Sequence, residues 1–163
     1  MFTRPQPSRT LPTRSRLLSG VSLLALIGLL LSGCASTISL RPAAAANNPG
    51  CAAITVRLPQ TIDDLARRHT NAQGTAAWGD PATILLRCGV TPIGPTTKPC
   101  VTVNNVDWVL ATDPNAQVSV YLTFGRIPAT ELIIDHAHGL SDASVLPAMA
   151  SAISAVHQTA RCE

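Results

Sequence analysis

Hydrophobic and polar positions divide the chain into one leading apolar block and a body of short alternating runs. Residues 17–31 are apolar or small and carry no charge. In the body, Ile54, Val56 and Leu58 alternate with Thr55 and Arg57, the period of a half-buried strand. Ile62 and Leu65 then stand three apart, and Arg67 and Arg68 follow; this predicts a short helix over 60–68 with cations at its carbonyl end. Residues 69–77 are small and polar and read as a loop. Residues 82–88 are nearly continuous in their apolar character, as in a central strand. Alternation returns at 101–103, at 106–111 beyond Asn104 and Asn105, at 117–124 with Val118, Val120 and Leu122 on one face, and at 130–135. The Asn pair marks a tight turn or a bulge, because Asn tolerates positive φ. From Ser141 the period changes: Val145, Met149, Ile153 and Val156 form the stripe of an amphipathic helix, with Ser144 as its cap and Pro147 in its first turn. The order of strand, helix, a run of strands and helix predicts an α+β fold. Its expected form is an antiparallel sheet of four to five strands with two helices packed on one face.

The leading block is a targeting signal. Residues 1–16 contain Arg4, Arg9, Arg14 and Arg16 and no acid, and the apolar run follows directly, the order of a secretory signal. Its 15 residues fall short of the roughly 20 that span a bilayer. The run closes Leu31-Ser32-Gly33-Cys34, a box that precedes a lipid-modified cysteine in bacteria: small residues fit a signal peptidase, and the thiolate takes up the diacylglyceryl group. The expected organisation is therefore a signal peptide over 1–33, a lipid-anchored flexible tether over 34–50, which is rich in Ala, Pro and Asn, and a single domain over 51–163. The expected location is the outer face of the cell membrane. Fatty acyl chains contribute about 0.8 kcal/mol per buried methylene, so two or three make a lasting anchor.

Charge and cysteines bear on the partners. The chain carries 12 Lys and Arg against 9 Asp and Glu. Four of the Arg belong to the signal, which leaves eight cations facing nine acids, a net charge of −1. With one Lys, such a body has no electrostatic footprint for nucleic acid. Besides Cys34 there remain Cys51, Cys88, Cys100 and Cys162, an even number in an oxidising compartment. They lack the Cys-x-x-Cys spacing of a zinc site and are expected to form two disulfides. Of the three connectivities four cysteines allow, the preferred one joins Cys88 to Cys100 around a Pro/Gly-rich loop and Cys51 to Cys162 across the domain ends.

Catalytic signatures are scarce. Gly-x-Ser-x-Gly, Ser-x-x-Lys, His-Glu-x-x-His and phosphate-cradling Gly loops do not occur, and no cofactor or metal is expected. A rival enzyme reading uses Asp135, His136 and His138, two imidazoles on one side of an extended chain; another pairs Asp142 with His138. The main candidate surface is Trp78, Asp80, Arg87, Asp107, Trp108 and Arg126. Both Trp neighbour an Asp, and Arg87 lies in an apolar run where a guanidinium needs a partner. Two alternatives follow: Arg87 pairs with Asp80 or Asp107 beneath Trp rings that fill the core, or the cluster forms a recess for a carboxylate or phosphate. The favoured function is a lipid-tethered, non-catalytic binding or accessory module. Its expected partners are the membrane, reached through the anchor, and an envelope protein or a cell-wall precursor. The alternatives are a small envelope hydrolase or metal-dependent enzyme, and a purely structural lipoprotein.

The ordered series Ala77-Trp78-Gly79-Asp80-Pro81, Leu86-Arg87-Cys88-Gly89, Val103-Asn104-Asn105-Val106-Asp107-Trp108 and Phe124-Gly125-Arg126-Ile127-Pro128 resembles an actinobacterial family of small secreted proteins and lipoproteins, the domain of unknown function DUF3515. The resemblance spans about Cys51 to Cys162, with Phe124 where Tyr is expected and Asn105 where Gly is expected. It implies a high-GC Gram-positive source. It carries no activity and no functional residues.

Overall fold

The computed structural model describes residues 36–162; the signal segment and Cys34 lie outside them. Helix α1 (Pro49–Thr55) comes first, followed by β1 (Thr61–Ile62), β2 (Leu65–Arg68), β3 (Thr75–Trp78), β4 (Ile84–Val90), β5 (Cys100–Val103), β6 (Val106–Leu110), β7 (Val118–Thr123) and β8 (Ala129–Asp135). A 3₁₀ turn (His136–His138) and helix α2 (Asp142–Ile153) close the order. The fold is α+β, as expected, but the antiparallel sheet has eight strands rather than four or five, in the order β1-β2-β3-β4-β8-β7-β6-β5. The two helices touch each other, and their buried residues join those of the strands in a single core.

The extra strands lie where spacing is ambiguous. Ile62 and Leu65 are cross-strand partners, not neighbours on a helix. Residues flanking a two-residue hairpin loop are also three apart, and Asp63 supplies the positive φ such a loop needs, at 48°. Ile54, Val56 and Leu58 do not form a strand. Cys51, Ile54 and Leu58 share the spacing of a helix face and are all buried, whereas Val56 is 78% exposed. Asn48 starts α1 by accepting a hydrogen bond from Gly50 N at 2.8 Å, with Pro49 at the first helical position. Residues 75–77, read as part of a loop, belong to β3, which pairs with β4.

Other expectations hold. Asn104 and Asn105, at φ 47° and 63°, make the tight turn between β5 and β6. β4 is central, paired with β3 and β8. The stripe Val145, Met149, Ile153 and Val156 is buried. The cap of α2 is Ser141 rather than Ser144, however, and Pro147 lies inside the helix. On β7 the face bearing Val118, Val120 and Leu122 is the half-exposed one, and Ser119, Tyr121 and Thr123 point into the protein.

The structure has two disulfides, with a connectivity other than the preferred one: Cys51–Cys88, with Cα atoms 5.5 Å apart, and Cys100–Cys162, at 6.2 Å. Cys88 and Cys100 would be close only if β4 and β5 were neighbours. They stand four places apart in the sheet, about 19 Å at the usual strand spacing, beyond the reach of a disulfide. The segment between them crosses from the centre of the sheet to its edge. The bonds close loops of 37 and 62 residues, each contributing about 4 kcal/mol in the chain-entropy model.

The described part of the stretch read as tether is docked on the domain. Ile38 forms a parallel bridge with Thr70, its N–H donating to His69 O at 2.8 Å. Ala45 N donates to Gly89 O at 3.0 Å. Gly89 has φ 91°, and a Cβ there would collide with the Ala45 carbonyl, so this close approach requires glycine.

Candidate functional site

The six residues of the main sequence cluster do not converge. Trp78 and Trp108 are both buried in the core. The Trp78 indole donates to Pro59 O at 3.1 Å, and Trp108 meets Tyr121 edge to face at 6.4 Å. Asp80 is 82% exposed and pairs with Arg68 at 2.9 Å. Arg87 finds neither Asp80 nor Asp107; it pairs with Glu131, its cross-strand partner on β8, through Nε and Nη2 at 2.6 Å.

Asp107 and Arg126 do share a neighbourhood, and its function is to hold the C-terminal segment. Arg126 is buried beyond the end of α2, where its guanidinium donates to the carbonyls of Ile153 and Val156. It also donates to Asn105 O at 3.1 Å and to Gln158 Oε1 at 3.2 Å. A cation there complements the negative end of the helix dipole. Burial lowers its pKa, Asp107 raises it and Arg161 lowers it again. Asp107 accepts from Thr102 Oγ1 at 2.7 Å, Gln158 Nε2 at 2.8 Å and Cys162 N at 2.9 Å. Burial raises its pKa, but those three hydrogen bonds and the charge of Arg161 outweigh burial and hold the carboxyl below the ordinary carboxylate range.

The histidine cluster takes a different form from the one expected. His136–His138 is a 3₁₀ turn, so the premise of an extended chain does not hold. Among the described residues, no group of three or more His, Cys, Asp or Glu is placed to hold a metal. His136 Nδ1 donates to Leu140 O at 2.8 Å, and Nε2 shares a hydrogen bond at 2.9 Å with the Ser119 hydroxyl, which donates to Asp142 Oδ2 at 3.3 Å. Asp142 lies on the same Nε2 side at 3.5 Å and accepts from Tyr121 Oη at 2.8 Å. The Tyr121 pKa is raised by burial first, then by its hydrogen bond to Asp142 and the charge of that group. This is not the nucleophile–base–orienter order of a catalytic triad, since the carboxylate is not behind Nδ1 and Ser119 is only 3% exposed. The cluster ties β7 to the first turn of α2.

The structure offers a site that the sequence did not signal. A cleft of about 610 Å³ opens between α1 and β2, with Ala52, Thr55 and Val56 on one wall and Arg67, Arg68 and His69 on the other. That volume suits a small ligand or a headgroup, and no acidic side chain lines it. Arg67 stacks over the Trp78 ring at 5.9 Å. Its Nη1 donates to the carbonyls of Thr55 at 3.3 Å and Leu58 at 3.5 Å, and no carboxylate pairs with it among the described residues. Burial pushes its guanidinium pKa down. Arg68 bridges two segments, from Asp80 and the Gly79 carbonyl to Ser36. The pair Arg67-Arg68 looked like a helix terminus in the sequence; only the hairpin places it on a cleft wall. A second cleft, of about 280 Å³, lies beside Asp63, Asp64 and Asp80.

The family model described as "Protein of unknown function (DUF3515)" matches residues 23–162. No curated protein and no solved structure matches the chain.

Proposed function

The chain belongs to the DUF3515 family of unknown function, and from that premise we propose that it is an exported lipoprotein of the cell envelope. In this reading Cys34 carries the lipid, the domain stands on the outer face of the membrane, and its work is binding rather than catalysis. The observation that carries the reading is the disposition of the five cysteines. The four in the domain pair in two disulfides, as suits an oxidising compartment. The fifth, Cys34, closes the lipoprotein box after the apolar run. A binding role draws support from the cationic cleft, which is large enough for a ligand and lacks acid. The Ser119–His136 pair, the nearest approach to a catalytic grouping, is closed to substrate by the burial of Ser119.

The test is fractionation of cells that express the wild-type chain and Cys34→Ser. The wild type sediments with membranes, and the variant, which has no acceptor for lipid, does not acquire a radiolabelled fatty acid. Equal labelling of the two chains would overturn the assignment of Cys34.

A further inference from the structure

We propose that the cleft between α1 and β2 faces the bilayer and binds the headgroup phosphate of an anionic phospholipid in the leaflet that carries the anchor. The proposal rests on the lipid-anchored reading above and adds an orientation and a ligand to it.

The first argument is where the described chain begins. Arg68 Nη2 donates to Ser36 O at 3.0 Å and to Ser36 Oγ at 2.9 Å. Ile38 N donates to His69 O at 2.8 Å, Asn71 N to Ile38 O at 3.2 Å, and Leu40 N to Asn71 Oδ1 at 2.8 Å. The segment after the anchor thus lies along the strand edge that forms the cationic wall. Ser36 stands two residues after Cys34, and two residues of extended chain reach at most about 7 Å. A domain on a free tether could turn any face to the membrane, but one held at Ser36 keeps this edge beside the headgroups.

The second argument is charge. The domain as a whole offers a membrane no general attraction, because acids slightly outnumber cations after Cys34. The cleft is the exception: Arg67 and Arg68 line it and no acid does, and although Arg68 pairs with Asp80 outside it, Arg67 has no carboxylate partner among the described residues. Arg67 is half-buried, the only hydrogen-bond partners of its guanidinium among the described residues are two carbonyls at 3.3 and 3.5 Å, and a guanidinium fork matches a phosphate. The third argument is the rim, where Val56 exposes an apolar side chain at the mouth of the cleft, as a contact with the acyl boundary needs.

Hydrogen exchange of the mature acylated protein, from Cys34 onward, in vesicles tests the proposal. Vesicles of phosphatidylcholine alone are compared with vesicles containing phosphatidylglycerol, and a mass measurement on the same sample reports the lipid, so loss of the anchor and loss of the cleft contact are separately visible. Amides of residues 66–75 should exchange about fivefold more slowly on the anionic vesicles, the effect of one cation near a charged surface, while those of β7 stay unchanged. The protection should fall steeply by about 1 M salt, where the Debye length is only about 3 Å. Arg67→Gln should abolish it, and so should Val56→Glu, which adds a charge at an exposed position without disturbing the core. Equal exchange on the two vesicle types, or undiminished protection in Val56→Glu, overturns the proposal. If inorganic pyrophosphate on neutral vesicles gives the protection and phosphatidylglycerol does not, the ligand is a soluble phosphate and the lipid assignment is wrong.

Discussion

Asp107 is the carboxylate on which the C-terminal end of the domain depends, and replacing it separates two contributions. It is 1% exposed. Its Oδ1 accepts from Thr102 on β5, and its Oδ2 accepts from Gln158 and from the backbone N–H of Cys162. Asp107→Ala leaves these donors without their acceptor. Hydrogen bonds to a charged group contribute about 1.5–3 kcal/mol each, and losing one member of a buried network costs about 3–5 kcal/mol, because the contributions do not add. Asp107→Asn is milder. The amide oxygen takes the place of Oδ2, its NH₂ turns to Thr102, whose hydroxyl accepts, and only the charge is lost, a cost of about 1–3 kcal/mol. Urea unfolding of the non-reduced protein, followed by fluorescence of the neighbouring Trp108, reads both. The alanine midpoint should fall by about 1–3 M.

The dependence on pH isolates the charge. The folded-state pKa of Asp107 is depressed, so its charge stabilises the fold at pH values above the unfolded pKa, about 3.9. That stabilisation is lost as pH falls through the folded value. The gap between wild type and Asp107→Asn should therefore be full near neutrality and shrink in acid, since every other carboxylate is common to both chains. A gap that is the same in acid and at neutral pH would refute the reasoning, and so would an alanine variant as stable as wild type.

Two further substitutions test the fold description. Arg87→Ala should cost about 1 kcal/mol or less in the same urea assay, because the Arg87–Glu131 pair lies on a sheet face with the Arg side chain 34% exposed; a loss of several kcal/mol would show that Arg87 is held as a buried charge. Gly89→Ala should cost about 2–4 kcal/mol, from a positive φ and a collision with Ala45, and should speed proteolysis of residues 36–46. A neutral result would mean that the segment is not docked.

What the sequence discloses follows from how much each pattern depends on distant chain. Asn104-Asn105 specifies its turn locally, and the stripe of α2 repeats long enough to exclude a strand. Ile54 and Leu58 fit a strand period with Val56 and a helical one with Cys51, and only the exposure of Val56 and the cap at Asn48 decide for a helix that ends at Thr55. The i, i+3 pair Ile62 and Leu65 fits either a helix or a two-residue hairpin, and pairing with β3 settles it. Disulfide connectivity depends on strand order, which local pattern does not contain. The candidate cluster failed for the same reason. Trp78, Arg87 and Arg126 sit in motifs of similar appearance, but one fills the core, one pairs across the outer sheet face, and one caps a helix. The cleft went unseen because both of its walls, α1 and β2, were assigned the wrong structure.

The central claim is that one cysteine carries the lipid and the other four are oxidised in pairs. Intact-mass analysis of the non-reduced protein extracted from membranes tests it most directly. The account predicts a chain that begins at Cys34, bears a diacylglyceryl group and lacks the hydrogens of four thiols. Fragments should join Cys51 to Cys88 and Cys100 to Cys162. An unlipidated chain with free thiols would contradict it.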